Sequence, residues 1–106
     1  MLMKDLEDLD ENGIVGDWCF QEGKDGMHIF LRYQRKIMVE DEIRGDITHL
    51  PIVIGESIPS PARWGWNGNK EAPTLTPSIL INGGDGNGGR VEYWHGYLTD
   101  GKLVNA

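Results

Sequence analysis

Turn-forming residues recur so closely along this chain that no long helix fits between them. The 106 residues include 15 Gly and 5 Pro, and both residue types interrupt helices and favour turns. Between the turns apolar side chains alternate, as from Met27 to Tyr33, which is typical of strands that bury one face. The sequence therefore predicts a mostly β domain of about six to eight short strands, arranged as a small antiparallel sandwich or partial barrel with at most one or two short helical turns.

The first residues differ from the rest in charge and in spacing. Residues 1–11 contain five acidic residues and one lysine, and their leucines are spaced as on one face of a helix. The turn signal Asn12-Gly13 would end such a helix. We predict an acidic N-terminal arm over residues 1–12, either helical or frayed, and a single β-rich domain over residues 13–106. A helical arm of this charge could dock on a basic partner.

The charge balance and the absence of long apolar runs limit the partners of the chain. Acidic residues outnumber basic ones by 17 to 10, and the formal net charge is −7, which argues against a protein that grips nucleic acid through a basic face. No run approaches the ~18 apolar residues of a membrane helix, and the N-terminus lacks the order of a signal peptide. We therefore expect a cytoplasmic protein that binds neither nucleic acid nor membrane directly.

Metal binding is the one cofactor chemistry that the sequence leaves open. The chain has one Cys and three His, which excludes a disulfide framework and a Cys-only zinc site. Cys19, His28 and His95 could supply three zinc ligands if the predicted hairpin that contains Cys19 and His28 met the predicted last hairpin, which contains His95. Their spacing matches no established zinc template, and a histidine on a strand is more often a core or surface residue. Zinc is thus a candidate, and no other cofactor is predicted.

No catalytic constellation stands out in the sequence. Ser57, Ser60 and Ser78 lie in no G-x-S-x-G context, and Cys19 has no neighbouring cation to lower its pKa. Residues 84–89 match G-x-G-x-x-G, but a strand pattern follows them where a dinucleotide site needs a helix. The sequence therefore favours a protein that is not an enzyme, without settling the question.

The tryptophans are either core residues or anchors for a partner. The chain has four Trp, and a small β domain fills its core efficiently with this residue. An exposed Trp could instead anchor a protein interface or stack on a base. The candidate partner-binding residues are the acidic side chains of the N-terminal arm and three of the tryptophans: Asp5, Glu7, Asp8, Asp10, Glu11, Trp64, Trp66 and Trp94.

Three ordered motifs between residues 64 and 102 carry a family resemblance. They are Trp64-Gly65-Trp66-Asn67-Gly68, the segment Ala72 to Ile79, and the segment Trp94 to Lys102. In this order they resemble a family of small, uncharacterised bacteriophage and prophage proteins with the pattern W-x-W-N-G … P-T-L-[ST]-P-S-I … H-x-[FY]-x-x-D-G, some of which carry the label ammonia monooxygenase. Members usually have a Cys-rich, zinc-like segment upstream and a Cys where Trp94 stands here. The resemblance implies phage origin, and we interpret the motifs as determinants of a fold.

Small size, acidity and this resemblance together predict a phage-type protein that binds and inhibits a host bacterial protein. Its sharpest version is an anti-CRISPR-like inhibitor of a bacterial defence complex, acting in the cytoplasm of the host cell, whose acidic surface fills a groove made for nucleic acid. One alternative is a zinc-binding structural or hydrolytic protein that uses Cys19, His28 and His95. Another is a structural phage component or a homo-oligomer, such as a homodimer, built on the Trp-rich face.

Overall fold

The protein is described over residues 1–59 and 62–106 by a computed structural model, and strands make up about half of these residues. Within these residues a helix, α1 (Leu6–Asn12), precedes nine strands. They are β1 (Trp18–Gly23), β2 (Gly26–Tyr33), β3 (Asp46–Ile54), β4 (Ile58–Pro59), β5 (Ala62–Trp66), β6 (Leu75–Thr76), β7 (Ile79–Gly84), β8 (Arg90–Thr99) and β9 (Lys102–Asn105). The predicted mostly β fold with little helix is confirmed. Strands β4 and β6 have two residues each, which is too short for an alternation pattern to mark.

The strands form two sheets. The larger sheet has the order β1-β2-β3-β5-β4, with β6 also paired to β5, and the smaller has the order β7-β8-β9. Neighbouring strands are antiparallel except β3 and β5, which run parallel with Ile52 opposite Trp64. The smaller sheet places the residues before and along β7 beside β8, and this pairing builds the site described below.

The hydrophobic core lies between the inner faces of the two sheets. Alternate residues of β2, such as Ile29 and Leu31, are fully buried, as are Ile79 and Leu98 of the smaller sheet. Burying such a side chain stabilises a fold by roughly 1.5–3 kcal/mol. The core residues from both sheets form one cluster: Trp18, Ile29, Leu31, Tyr33, Leu50, Ile52, Trp66, Leu75, Ile79, Trp94 and Leu98.

The acidic N-terminal segment folds as α1 against the outer face of the larger sheet. Asp5 caps the helix by accepting a hydrogen bond of 2.9 Å from the backbone N–H of Asp8. At the other end the buried Arg32 of β2 donates to the carbonyl oxygens of Leu9 and Asp10 at 2.9 and 3.0 Å. A cation at the last carbonyls of a helix complements the helix dipole. The side chain of Leu9 is fully buried as a result.

Candidate active site

A serine and a histidine from neighbouring parts of the smaller sheet share a hydrogen bond. Ser78 lies directly before β7, and His95 lies in β8. The distance between Ser78 Oγ and His95 Nε2 is 3.1 Å, and both side chains are half-buried. A serine hydroxyl within reach of an imidazole nitrogen is the arrangement in which histidine can take the hydroxyl proton and leave a nucleophilic oxygen.

The register between β7 and β8 explains why these two side chains meet. Ile79 lies opposite Gly96, and Leu80 lies opposite His95. Side chains alternate between the two faces of a strand, so the buried Ile79 points into the core while Leu80 and His95 point outward. Ser78, which precedes Leu80 by two residues, shares the outward face and lies diagonally across from His95.

Apolar side chains surround this pair on the outer face of the smaller sheet. Leu80, Tyr97 and Val104 are 51%, 43% and 50% exposed, respectively. Tyr97 and Val104 are direct partners in the pairing of β8 with β9. The serine and the histidine therefore lie on an open, largely apolar surface.

A β-bulge brings a carboxylate to the face on which His95 lies. The register between β7 and β8 shifts between Ile81 and Asn82, so that Tyr93 has no partner on β7. Glu92 precedes His95 by three residues, and in a regular strand these two would point to opposite faces. The extra residue reverses the alternation and places Glu92 on the outer face. The carboxylate and the serine thus lie on opposite sides of the histidine along β8.

Glu92 is held as a carboxylate by its surroundings. Lys36 forms an ion pair with it. The hydrogen bond from Lys36 has the largest effect and lowers the pKa of the Glu92 carboxyl. Burial opposes it, and the positive charges of Lys36 and His95 lower the pKa further by smaller amounts. A negative charge at this position favours the imidazolium that forms when His95 accepts a proton.

Trp64 ties the serine to the larger sheet. Its indole Nε1 donates a hydrogen bond of 3.3 Å to the carbonyl oxygen of Ser78. Trp64 lies in β5 and packs against the core. The backbone of the serine is therefore fixed by a rigid element of the other sheet rather than by a loop alone.

The three predicted zinc ligands lie far apart in the fold. Cys19 is fully buried, and burial together with the charges of Asp5 and Asp8 raises the pKa of its thiol to about 11. Cys19 and His28 belong to the outer face of the larger sheet, whereas His95 belongs to the outer face of the smaller one. No group of three metal-binding side chains occurs within residues 1–59 and 62–106. The first and last hairpins pack together through their core faces, where the ring centroids of Tyr33 and Trp94 lie 6.4 Å apart. The three residues lie on the outer faces instead, so the set that the sequence suggested is not assembled.

His28 has other partners on its own sheet. Its Nδ1 lies 2.7 Å from Nε2 of His49, and its Nε2 lies 2.7 Å from Oδ1 of Asp25. The rings of Phe30 and His49 are stacked, with 4.7 Å between their centroids. His28 is thus part of a hydrogen-bonded chain of side chains on the surface of the larger sheet.

The predicted partner-binding residues are divided between surface and core. Trp66 and Trp94 are only 4% and 6% exposed and belong to the core, while Trp64 is half-buried. The acidic residues belong to α1 and its N-cap, where Asp8 is half-buried and the others are exposed: Asp5, Glu7, Asp10 and Glu11. Their role in binding a partner stays a prediction.

A serine held against a histidine in this way is characteristic of serine hydrolases, the serine proteases among them. A family model described as "Bacterial ubiquitination-like system serine protease (BubE)" matches residues 45–106, which include both Ser78 and His95. This match covers more than half of the 106 residues, and the chain belongs to this family. Comparisons with curated proteins and with solved structures give no match. No helix in the described part of the chain is long and apolar enough to cross a membrane.

The family corrects the function that the sequence suggested. A phage-type, anti-CRISPR-like inhibitor is wrong, because the matching family is described as a serine protease of a bacterial ubiquitination-like system. That description does not name a structural phage component either. Whether the protein binds zinc or forms a homo-oligomer stays a prediction. The acidic charge and the small size, on which the inhibitor hypothesis depended, are compatible with many functions and do not point to one.

The pattern G-x-S-x-G does not detect Ser78, because it describes a different local context. The pattern G-x-S-x-G belongs to a serine between a strand and a helix, whereas Ser78 lies before a strand and its histidine comes from the next strand of the sheet. The available signal was the position of Ser78 and His95 inside two of the three ordered motifs. Those motifs contain both residues of the site in addition to residues that determine the fold.

Proposed function

We propose that this chain is a serine peptidase with Ser78 as the nucleophile and His95 as the general base. Its substrate is a protein chain of a bacterial ubiquitination-like system, which is also the source of its protein partners. The observation that carries the proposal is the 3.1 Å hydrogen bond between Ser78 Oγ and His95 Nε2. Both residues lie in the stretch that matches the serine protease family, and this match supports the choice of peptide hydrolysis over other serine chemistry.

The reaction follows from the roles of the two side chains. His95 takes the proton of Ser78 as Oγ attacks the scissile carbonyl carbon, and the resulting imidazolium gives that proton to the leaving amine. The acyl group stays on Ser78 as an ester. Water then attacks the ester with His95 again as the base, which releases the carboxylate product and restores the serine.

Glu92 acts through His95 in this proposal and is a positioning residue. Its carboxylate lies on the same face as the imidazole and on the side away from Ser78. It stabilises the imidazolium by its charge. Lys36 fixes the carboxylate through their ion pair.

The proposal is tested with a fluorophosphonate probe, which labels an activated serine without the need for a known substrate. Intact-mass spectrometry of the full chain should show one adduct, and peptide mapping should place it on Ser78. Ser78→Ala should abolish labelling, and His95→Ala should slow it by about 100-fold or more, as expected for the loss of a general base. Thr99→Ala is the control, because Thr99 carries an exposed hydroxyl group outside the pair. Labelling that persists in Ser78→Ala, or a complete failure of the folded protein to be labelled, would contradict the proposal.

A further inference from the structure

We propose that the pocket beside Ser78 binds an apolar side chain of the substrate, that of the residue whose carbonyl group is attacked. This inference rests on the proposed function and adds the class of peptide that the site accepts. The pocket has a volume of about 370 Å³ and lies between the β4–β5 region and the segment before β7. Its lining residues are Ser57, Ile58, Pro59, Ala62, Arg63, Trp64 and Pro77.

The pocket adjoins the residue that precedes the proposed nucleophile. Pro77 is the residue before Ser78, and Trp64 donates its indole N–H to the carbonyl oxygen of Ser78. One residue of extended chain spans only about 3.3–3.6 Å. A side chain seated against Pro77 and Trp64 therefore belongs to a substrate residue next to the bond that Ser78 attacks. The residue that supplies the attacked carbonyl is the nearest one.

The chemistry of the walls favours an uncharged, apolar occupant. Five of the seven lining side chains are Ile, Pro, Ala or Trp. The one charged residue, Arg63, is already engaged, because it forms an ion pair of 3.1 Å with Asp25 and donates to the carbonyl oxygen of Met27 at 3.3 Å. Its side chain is only 9% exposed. Among the described lining residues, the pocket thus offers no free cation to an acidic side chain and no carboxylate to a basic one.

The size of the pocket also fits a side chain better than a folded surface. Sites for small ligands measure about 300–1,000 Å³ and are mostly apolar with few polar groups, and this pocket lies at the lower end. Ile58, at 37% exposed, is an apolar residue at the surface whose burial by a substrate side chain would be favourable. A peptide with a bulky aliphatic or aromatic residue before the cleaved bond is the substrate that meets these conditions.

The test uses peptidyl phosphonate esters, which carry one amino-acid side chain next to a phosphorus atom that reacts with a catalytic serine. A series of these compounds with the side chains of Leu, Phe, Asp and Lys reports the preference directly, and the fluorophosphonate reports the reactivity of Ser78 independently. The unaltered chain should react with the Leu and Phe compounds at least tenfold faster than with the Asp and Lys compounds.

Ile58→Asp should reverse this preference, because it places a carboxylate in the pocket. We expect the rate with the Leu compound to fall at least tenfold and the rate with the Lys compound to rise, each measured relative to fluorophosphonate labelling of the same variant. Ile54→Asp is the matched control, since Ile54 is 70% exposed and outside the pocket, and it should leave every rate unchanged.

The outcomes distinguish a failure of the pocket assignment from a failure of the proposed peptidase function. Normal fluorophosphonate labelling with no apolar preference, or equal effects of Ile58→Asp and Ile54→Asp, would overturn the pocket assignment alone. Loss of all Ser78-dependent labelling would overturn the serine peptidase itself, and the assignment of the pocket with it.

Discussion

Glu92 offers the most direct test of how the residues around the serine cooperate. Glu92→Gln keeps the shape of the side chain and removes its charge, so the imidazolium loses a stabilising partner. We expect fluorophosphonate labelling to slow by roughly tenfold, which corresponds to about 1.4 kcal/mol of lost stabilisation of the imidazolium in the transition state.

Two further variants show whether the effect belongs to the carboxylate. Glu92→Asp keeps the charge and should recover part of the rate, whereas Glu71→Gln removes an exposed carboxylate elsewhere and should have no effect. A merely structural role for Glu92 would lower the amount of folded protein and leave the labelling rate per folded molecule as it is in the unaltered chain. An unchanged rate per folded molecule in Glu92→Gln would therefore contradict the positioning role.

Cys19 makes stability depend on pH in the alkaline range. Burial raises the pKa of its thiol from 9.0 to about 11. Below pH 9 the thiol is protonated in both the folded and the unfolded chain. Between pH 9 and pH 11 the unfolded chain loses this proton while the folded chain keeps it, so the free energy of unfolding falls as pH rises, by up to about 1.4 kcal/mol per pH unit.

Urea unfolding at a series of pH values in reducing buffer measures this slope. Cys19→Ala lacks the thiol, so its free energy of unfolding should fall less steeply over the same range, whatever its value at neutral pH. Comparing slopes rather than absolute stabilities removes the cost of the cavity that the substitution leaves. Equal slopes in the two proteins would show that the thiol does not titrate as its burial implies.

At the scale of the strands, the bulge in β8 depends on a close approach of Tyr93 to β7. The Tyr93 hydroxyl donates a hydrogen bond of 2.6 Å to the carbonyl oxygen of Gly84, and the Arg35 guanidinium lies 4.1 Å from the centre of its ring. A Cβ atom on Gly83 would lie 2.1 Å from the Tyr93 ring. The ring can occupy this place only because residue 83 has no side chain.

Gly83→Ala should therefore disturb the bulge and the placement of Glu92 with it. We expect the free energy of unfolding to fall by about 1–3 kcal/mol, as for other overpacked sites, and labelling of Ser78 to slow. Gly84→Ala is a matched control in the same strand, because its added Cβ would meet nothing closer than 4.0 Å. Urea unfolding of both variants measures this difference. Equal losses in the free energy of unfolding would refute the role given to Tyr93.

The strands themselves were largely predictable from the sequence, and the site was not. The alternation from Met27 to Tyr33 and the surrounding turn residues are local signals, and they predict β2 and its hairpin with β1. The meeting of Ser78 and His95 depends on which strands pair and in what register. The position of Glu92 depends further on one bulged residue. Pairing, register and bulges arise from tertiary packing, and a single sequence carries no local signal for them.

At the scale of the whole molecule, the helix and the proposed active site lie on opposite outer faces. Arg32 joins α1 to the larger sheet, and it also donates to the carbonyl oxygens of Arg44 and Gly45 at 2.9 and 3.2 Å. Arg32→Leu removes all these donors and leaves carbonyl groups without partners. We expect a loss of at least about 2 kcal/mol in the free energy of unfolding.

Folded Arg32→Leu protein should keep the reactivity of Ser78. The rate of Ser78 labelling per folded molecule should match that of the unaltered chain, since the serine lies on the other sheet. Arg90→Leu, at an exposed arginine, is the control for loss of charge and should change stability by no more than about 0.5 kcal/mol. A folded Arg32→Leu protein with slow labelling would show that the two faces are coupled.

The exposed apolar surface around Ser78 and His95 has a consequence for the size of a good substrate. Charges interact more strongly once water is removed from around them, and Leu80, Tyr97 and Val104 are each about half exposed. A long protein substrate lying across these side chains would exclude water from Ser78 and His95 and lower the local dielectric constant around them. A small chromogenic ester leaves Ser78 and His95 exposed to water. Turnover should therefore increase with the length of the substrate that covers this sheet.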